Sequence, residues 1–322
     1  MRASTPDSSA RRNRSSNTFT RPGILSWIAA GLVFATAGLV SAHAAQPEKK
    51  LLFFSQTAGY EHPVIQRRAG NPSFAEQVLA KLGPKHALAW VFSKDGSLFS
   101  TEYLAQFDAF VFYTNGDLTG PTRDGSPSMT PAGKAALLQA VEHGKGFVGL
   151  HIASGTFRSR RAAAGRSDDI DPYIRMIGGE FIKHGKQQTA RVSVADPRFP
   201  GFERLPPGYG PLEEWYTFKN HATDLHVLLV LDPAGMEGDC YQRPPFPIAW
   251  ARRHGQGRVF YTGLGHREDV WLSPEFQAML LGGINWTTGR AVADTPPTFT
   301  ALTPGGNLLP VVVDPKPAAT KK

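Results

Sequence analysis

Cysteine is almost missing from the chain. Cys240 is the only one in 322 residues, so no intramolecular disulfide and no Cys-rich zinc site can form, and stability has to come from a packed core. Cys240 lies in a Gly/Asp/Pro-rich loop and reads as an incidental thiol. No cysteine stands near Ala44, which excludes a lipid anchor there. There is no Lys/Arg run interleaved with aromatics, so nucleic acid is not an expected partner. The phosphate-binding glycine fingerprints are absent too, and the lone Gly263-x-Gly265 does not make a nucleotide site. Beyond Ile24 to Val40 no segment could cross a membrane, and no internal repeat is visible.

What is present suits a large folded domain. With 41% hydrophobic and 19% charged residues, the chain is neither disordered nor fibrous. Its formal charge is +8, but residues 1–44 hold five arginines and one acid, so the remainder carries only 30 basic against 26 acidic residues, or +4. Those 44 residues read as an export signal. An Arg-bearing start precedes the apolar run Ile24 to Val40, and Ala42-His43-Ala44 supplies the small residues a signal peptidase needs. Arg11-Arg12 lacks the following residues of a twin-arginine signal. The expectation is an exported protein, periplasmic or secreted, with an uncleaved anchor as the alternative and no membrane contact for the mature form.

From Lys50 onward apolar runs alternate with helix-like stretches, the pattern of a parallel sheet covered by helices. Strands are expected at Leu51 to Ser55, Ala87 to Phe92, Ala109 to Tyr113 and Gly146 to Leu150. Helices are expected at Pro72 to Leu82, around Tyr103 to Phe107, from the Thr130 cap and Pro131 to about Gly144, and at Ile170 to Ile177. The second half is strand-rich, with Thr189 to Val194, Trp215 to Lys219, Val227 to Leu231, Ile248 to Arg252 and Arg258 to Leu264, before a last helix from Pro274 to about Thr287. Residues 293–322 are rich in Pro, Thr and Gly and read as a tail, ordered only if docked. A single α/β domain over 45–292 fits this better than two.

Ligands of an open parallel sheet bind beyond the carboxyl ends of its strands. Candidate residues are therefore Gln56 to His62, Asn115 to Asp117, His151 and His266, with His184, Glu213, Glu214 and Tyr216 in the strand-rich half. Gly149 to Ser154 has the form of a strand–turn–helix elbow that holds a Ser or Cys nucleophile in many hydrolases, but His151 occupies the nucleophile's place and Ser154 should face away.

These residues carry a family resemblance. Thr57-Ala58-Gly59-Tyr60-Glu61-His62, Gly144 to His151, Gly178 to His184, Glu213-Glu214-Trp215-Tyr216 and Pro247 to Trp250 continuing to Gly257 to His266 together resemble the ThuA-like, trehalose-utilisation family. The resemblance implies an α/β, doubly wound, mostly parallel sheet of the class I glutamine amidotransferase-like or flavodoxin-like kind, with extra strands in the second half. It also implies carbohydrate use, on disaccharides or glycosides oxidised to 3-keto sugars. Glu213 stands where family members usually have Asp, and the Arg/Ala-rich insertion between Phe157 and Asp168 has no expected counterpart.

Four histidines, His62, His151, His184 and His266, fall on those motifs and are candidate ligands of a divalent metal, zinc or similar, because neutral imidazole is its commonest protein ligand. The bland alternative for each is a ring hydrogen-bonded to backbone. With a keto oxygen held by a metal, Glu214 is the candidate general base, Tyr216 a hydrogen-bond or proton donor, and His151 a further catalytic candidate. Elimination of the leaving group beside the carbonyl, then hydration, would give net cleavage. For Glu214 the alternative is a structural pair with Arg258 or Arg252. A two-carboxylate glycosidase, a non-catalytic carbohydrate-binding protein and an amidotransferase-type hydrolase are the rival functions. Trp215, Trp250 and Trp271 are candidate sugar platforms, with core packing as their alternative. His86, His143, His221, His226 and His254 read as surface or packing residues, and the expected partner is a small sugar or glycoside.

Overall fold

The computed structural model describes residues 47–159 and 169–310. The chain divides into Met1–Ala44 and Ala45–Lys322. The expected signal segment, most of the Arg/Ala-rich insertion and the last part of the tail lie outside the described residues. Among the described residues no helix is long and apolar enough to cross a membrane.

The first half alternates as its pattern predicts. β1 (Lys49–Phe54) is followed by α1 (Phe74–Leu82), β2 (Leu88–Ser93), α2 (Thr101–Ala105), β3 (Ala109–Phe112), α3 (Pro131–Glu142), β4 (Gly146–Leu150) and α4 (Pro172–Ile177). Leu51 to Phe54 are wholly buried, as a strand covered on both faces must be. Helix starts carry chemistry that satisfies their free N–H groups. Ser73 and Glu76 form a reciprocal capping box on α1, and Thr130 Oγ1 accepts from Gly133 N at 2.9 Å with Pro131 in the first turn of α3.

The second half adds β5 (Glu180–His184), β6 (Arg191–Val194), β7 (Tyr216–Lys219), β8 (His226–Asp232), β9 (Phe246–His254), β10 (Gly257–Thr262), α5 (Glu268–Leu272), α6 (Pro274–Thr287) and α7 (Phe299–Leu302). The main sheet runs β2-β1-β3-β4-β10-β9-β8-β6. Pairs from β2 to β10 are parallel, and β9, β8 and β6 extend that edge by antiparallel pairing. From β1 the chain first moves outward to β2, then returns across to β3. That reversal places a topological switch point between β1 and β3, where loops diverge and leave a crevice.

β5 and β7 form a separate antiparallel pair with a bulge between Phe181 and Lys183. The sequence pattern passes over β5 as a strand, because Glu180, Lys183 and His184 break any apolar run. Trp271 lies in α5. α6 packs so closely that a Cβ on Gly282 would lie 1.7 Å from Pro200 O, so only glycine fits there.

The tail docks over residues 293–310. Thr298 N donates to Leu225 O at 2.8 Å, Val227 N donates to Thr298 Oγ1 at 2.9 Å, and Phe299 is buried. Asn307 and the backbone of His221 exchange two hydrogen bonds, at 2.8 and 3.0 Å. Arg243 ties Phe218 O and Gly306 O together from beneath.

Candidate functional site

Four segments carry their polar residues to one rim. The loop after β1 delivers His62, the turn after β4 delivers His151, the loop after β10 delivers His266, and the residue pair before β7 delivers Glu213 and Glu214. His184 ends β5 and reaches in from the small sheet.

The first loop is held from both sides. Lys94, buried at the end of β2, pairs with Glu61 at 2.5 Å and Asp124 at 3.1 Å, while Asn115 Nδ2 donates to Tyr60 O at 3.0 Å. His62 is thereby fixed under the rim, with Nε2 3.1 Å from the Tyr216 hydroxyl and 3.9 Å from Glu214 Oε2.

His151 has φ +46°, a left-handed conformation that costs a non-glycine residue about 1–2 kcal/mol. That sharp turn between β4 and the 3-10 turn His151–Gly155 is the elbow expected from sequence. It presses the ring flat against Tyr216, with centroids 3.9 Å apart. Nδ1–H donates to Gly263 O at 2.8 Å, which leaves Nε2 bare, 3.5 Å from Glu214 Oε2. Ser154 is buried and bonded to the Tyr261 hydroxyl at 2.9 Å, so it offers no nucleophile.

His266 follows Gly265, whose φ of +116° lets the chain turn back over the sheet. Its Nδ1 lies 3.2 Å from the same Oε2. His184 Nδ1 is 3.3 Å from the other oxygen, Glu214 Oε1, and 2.8 Å from Gly185 O. With a side chain 39% exposed, His184 is the solvent-facing imidazole of the group.

Ligand-capable atoms of His62, His151, Glu214 and His266 all lie within 4.8 Å of one another. His184, one of the sequence candidates, stands one layer out, holding the far oxygen of Glu214. Glu214 in turn does not pair with Arg252 or Arg258. Arg252 holds Asp224 at 2.8 Å, and Arg258 donates to Trp286 O at 2.7 Å.

Protonation follows from burial. It lowers His62 and takes His151 to about 3, outweighing the nearby carboxylate, so both rings are neutral at pH 7. Burial opposes ionisation of Glu214, but the imidazoles of His151, His266 and His62 prevail and hold its carboxyl well below the usual range. Tyr216 is driven well above its ordinary value, chiefly by burial, and keeps its proton. Nε2 of His151 lies 3.5 Å from Glu214 Oε2 and has no hydrogen-bond partner. Buried His266 Nδ1 likewise has no hydrogen-bond partner. Glu214 Oε2 lies 3.2, 3.5 and 3.9 Å from His266 Nδ1, His151 Nε2 and His62 Nε2, a nitrogen and oxygen donor set of the kind that could hold a divalent metal.

Glu213, passed over in sequence for its neighbour, is the hidden support of this cluster. Fully buried, its Oε2 accepts from Gly265 N at 2.9 Å and His266 N at 3.2 Å, and its Oε1 accepts from Glu214 N at 2.7 Å. Burial raises its carboxyl to about 7 despite those bonds. The signal available in sequence was only the doubled acid.

The three tryptophans are not platforms. Trp215, Trp250 and Trp271 are buried, and their indole N–H groups donate to Gln188 O, Ile177 O and Gly265 O. Of the remaining histidines, His221 and His226 are buried in packing positions rather than on the surface. Cys240 is buried, and its thiol is raised chiefly by that burial.

The sequence profile of the ThuA family, described as trehalose utilisation, matches residues 50–287, a span containing every member of the cluster. The chain belongs to the ThuA family. The fold agrees with solved ThuA-like proteins. One from Bacteroides uniformis superposes with a TM-score of 0.57 at 22% identity, covering 78% of this chain and 95% of its own. One from Parabacteroides merdae gives 0.52 at 18% identity, covering 77% and 92%. Likeness at such identity is of fold. No curated protein matches the chain. For this ThuA family member the chemistry is therefore read from the cluster itself.

Proposed function

We propose that this protein binds a divalent cation, zinc or similar, through His62, His151, His266 and Glu214, and cleaves or isomerises an oxidised, 3-keto disaccharide or glycoside. The observation that carries the proposal is the convergence of three imidazoles on one carboxylate oxygen of Glu214, with two of the facing nitrogens, His151 Nε2 and His266 Nδ1, lacking any hydrogen-bond partner. A cation held there supplies Lewis-acid polarisation of a substrate carbonyl oxygen.

The protein's own groups do the rest. His151 is locked by Gly263 O and Tyr216, so its tautomer is set before substrate arrives. With Oε2 of Glu214 turned into the cluster, its Oε1 and the exposed imidazole of His184 form the proton-accepting end of the site. A C–H beside the keto group, acidified by that polarisation, would give its proton to that pair; the C–O bond to the leaving group then breaks as the leaving oxygen takes a proton back from the same pair, and water adds across the resulting C=C to complete cleavage. Tyr216, protonated at all working pH values, donates a hydrogen bond at the inner wall. The elbow holds a histidine where an acyl-transfer nucleophile would stand, and Ser154 is engaged behind it, which argues against amidotransferase-type hydrolysis. Export is proposed on the Arg-led apolar segment before Ala44.

The decisive assay is turnover of 3-keto-disaccharides by chelator-stripped protein with and without added zinc, manganese or calcium. Metal-dependent product formation, lost in His151→Ala, is expected. Absence of turnover with every metal would end the enzymatic reading and leave sugar binding alone.

A further inference from the structure

His184 and Glu214 reach the cluster from the small sheet of β5 and β7, which stands apart from the main sheet and is interrupted by a bulge between Phe181 and Lys183. Two strands alone are marginally stable support for a site. The end of the pair that bears both groups is gripped by a side chain from elsewhere. Tyr241 is buried in the 3-10 turn Asp239–Tyr241, between β8 and β9. Its hydroxyl accepts from Gly185 N at 3.0 Å and donates to Trp215 O at 2.6 Å. Gly185 follows His184 and Trp215 follows Glu214, so one oxygen ties together the backbone beside each group. The ring presses on the same turn. A Cβ on Gly185 would lie 2.7 Å from Tyr241 Cε2 and 2.8 Å from Glu237 O, so the turn after His184 takes glycine.

We propose that Tyr241 is a positioning residue of the cation site, setting the contact between His184 and Glu214 by clamping their two backbones. The inference rests on the cation-site reading and adds to it a residue outside the cluster. On one strand, Tyr241 holds the N–H of the peptide that joins His184 to Gly185, and Gly185 O lies 2.8 Å from His184 Nδ1. The turn that Tyr241 fixes therefore also sets the imidazole, whose Nδ1 is 3.3 Å from Glu214 Oε1. On the other strand, Tyr241 holds Trp215 O while Glu213 Oε1 accepts from Glu214 N at 2.7 Å, so Glu214 is gripped from both sides. A hydroxyl makes both bonds only while protonated, because it donates to one partner and accepts from the other. Burial, the largest influence, raises the Tyr241 hydroxyl above its ordinary value and keeps the proton in place. Other ties from this turn lie at the surface. Lys183 and Asp239 pair at 2.8 Å with side chains 55% and 72% exposed, and such pairs contribute little. Tyr241 is the buried tie.

Tyr241→Phe removes one oxygen and leaves the ring on Gly185, and circular dichroism checks that the fold is kept. The test is zinc titration of the chelator-stripped full chain carrying Tyr241→Phe, alone and combined with His184→Ala. Alone, the substitution should weaken zinc binding about fivefold, and in the His184→Ala background by less than about twofold, because the clamp then has no imidazole to place. Gly185→Ala, whose methyl meets the Tyr241 ring, should give the same pattern independently. Lys183→Ala, which cuts the exposed tie of the same turn, should leave zinc affinity unchanged. An equal loss in both backgrounds, no loss in either, or a matching loss from Lys183→Ala would reduce Tyr241 to a general structural role and overturn the proposal. A crystal structure of metal-free Tyr241→Phe supplies a readout that needs no cation. His184 Nδ1 and Glu214 Oε1 should part from 3.3 Å to beyond about 4 Å, and an unchanged contact would overturn the clamp. If the parent takes up no metal, the cation-site reading fails, while parted side chains in that crystal still uphold the clamp.

Discussion

Glu213→Gln is the perturbation whose consequence can be worked most fully from the geometry. The carboxylate accepts three backbone N–H groups. Gln keeps one oxygen, which can take over Gly265 N and His266 N, but its amide NH₂ then faces Glu214 N, donor against donor. One buried N–H is orphaned, at a cost of about 1–3 kcal/mol. Against this, wild-type Glu213 has a folded-state value of about 7 where an exposed glutamate has 4.5. A raised folded value means that the native state holds this proton more tightly. The stability it contributes is complete below pH 4.5 and lost as pH rises through 7. At about 1.4 kcal/mol per unit, the loss is about 3 kcal/mol. Gln does not titrate and does not suffer it.

The stability difference between the two proteins should therefore depend on pH. Glu213→Gln should be less stable than wild type by about 1–3 kcal/mol at pH 4.5, and equal or more stable at pH 8. Urea unfolding of chelator-stripped wild type and variant at both values measures this, and losses common to both proteins cancel in the difference. A difference constant within about 1 kcal/mol across that range would refute the burial argument for Glu213.

Further outcomes follow from other parts of the fold. Gly282→Ala should destabilise the protein by about 3 kcal/mol or more in thermal melts, because the new methyl meets backbone at Pro200 rather than a movable side chain. His221, buried and held to about 3 by that burial, loses stability as pH falls from 6.5 toward 3, by up to about 5 kcal/mol. His221→Leu should flatten the acid limb of the stability profile, and an unchanged limb would count against this. Because the docked tail packs Phe299 and bonds Leu225, Val227 and His221, ending the chain at Arg290 should lower the melting temperature by several degrees, measurable by calorimetry. In metal titrations His184→Ala should weaken zinc binding about 10- to 100-fold, as loss of an outer partner does, whereas His151→Ala should abolish it.

Much of the scaffold was legible because buried parallel strands advertise themselves. Leu51 to Phe54, Ala109 to Phe112 and Gly146 to Leu150 are unbroken by charge, and Thr130-Pro131 marks its helix start unambiguously. The same logic placed His62, His151 and His266 at strand ends, on the rim where they meet. It could not rank them. Whether an imidazole reaches Oε2 or Oε1 of Glu214 depends on the bulge in β5 and the path of β7, a small sheet whose polar sequence hides it. Nor does sequence reveal that Glu213 joins two loops through backbone N–H groups, since only the fold brings Gly265 beside it. Trp271 misled for a related reason. Its indole is drawn inward by Gly265 O, a partner created by the turn at the site itself.

The central claim is that three imidazoles and Glu214 form one cation site, and zinc titration of chelator-stripped protein tests it most directly. One zinc should bind per chain, with the site lost in His151→Ala and in His266→Ala and with folding retained. Stripped, folded wild-type protein that takes up no zinc, manganese or calcium at neutral pH would contradict the account.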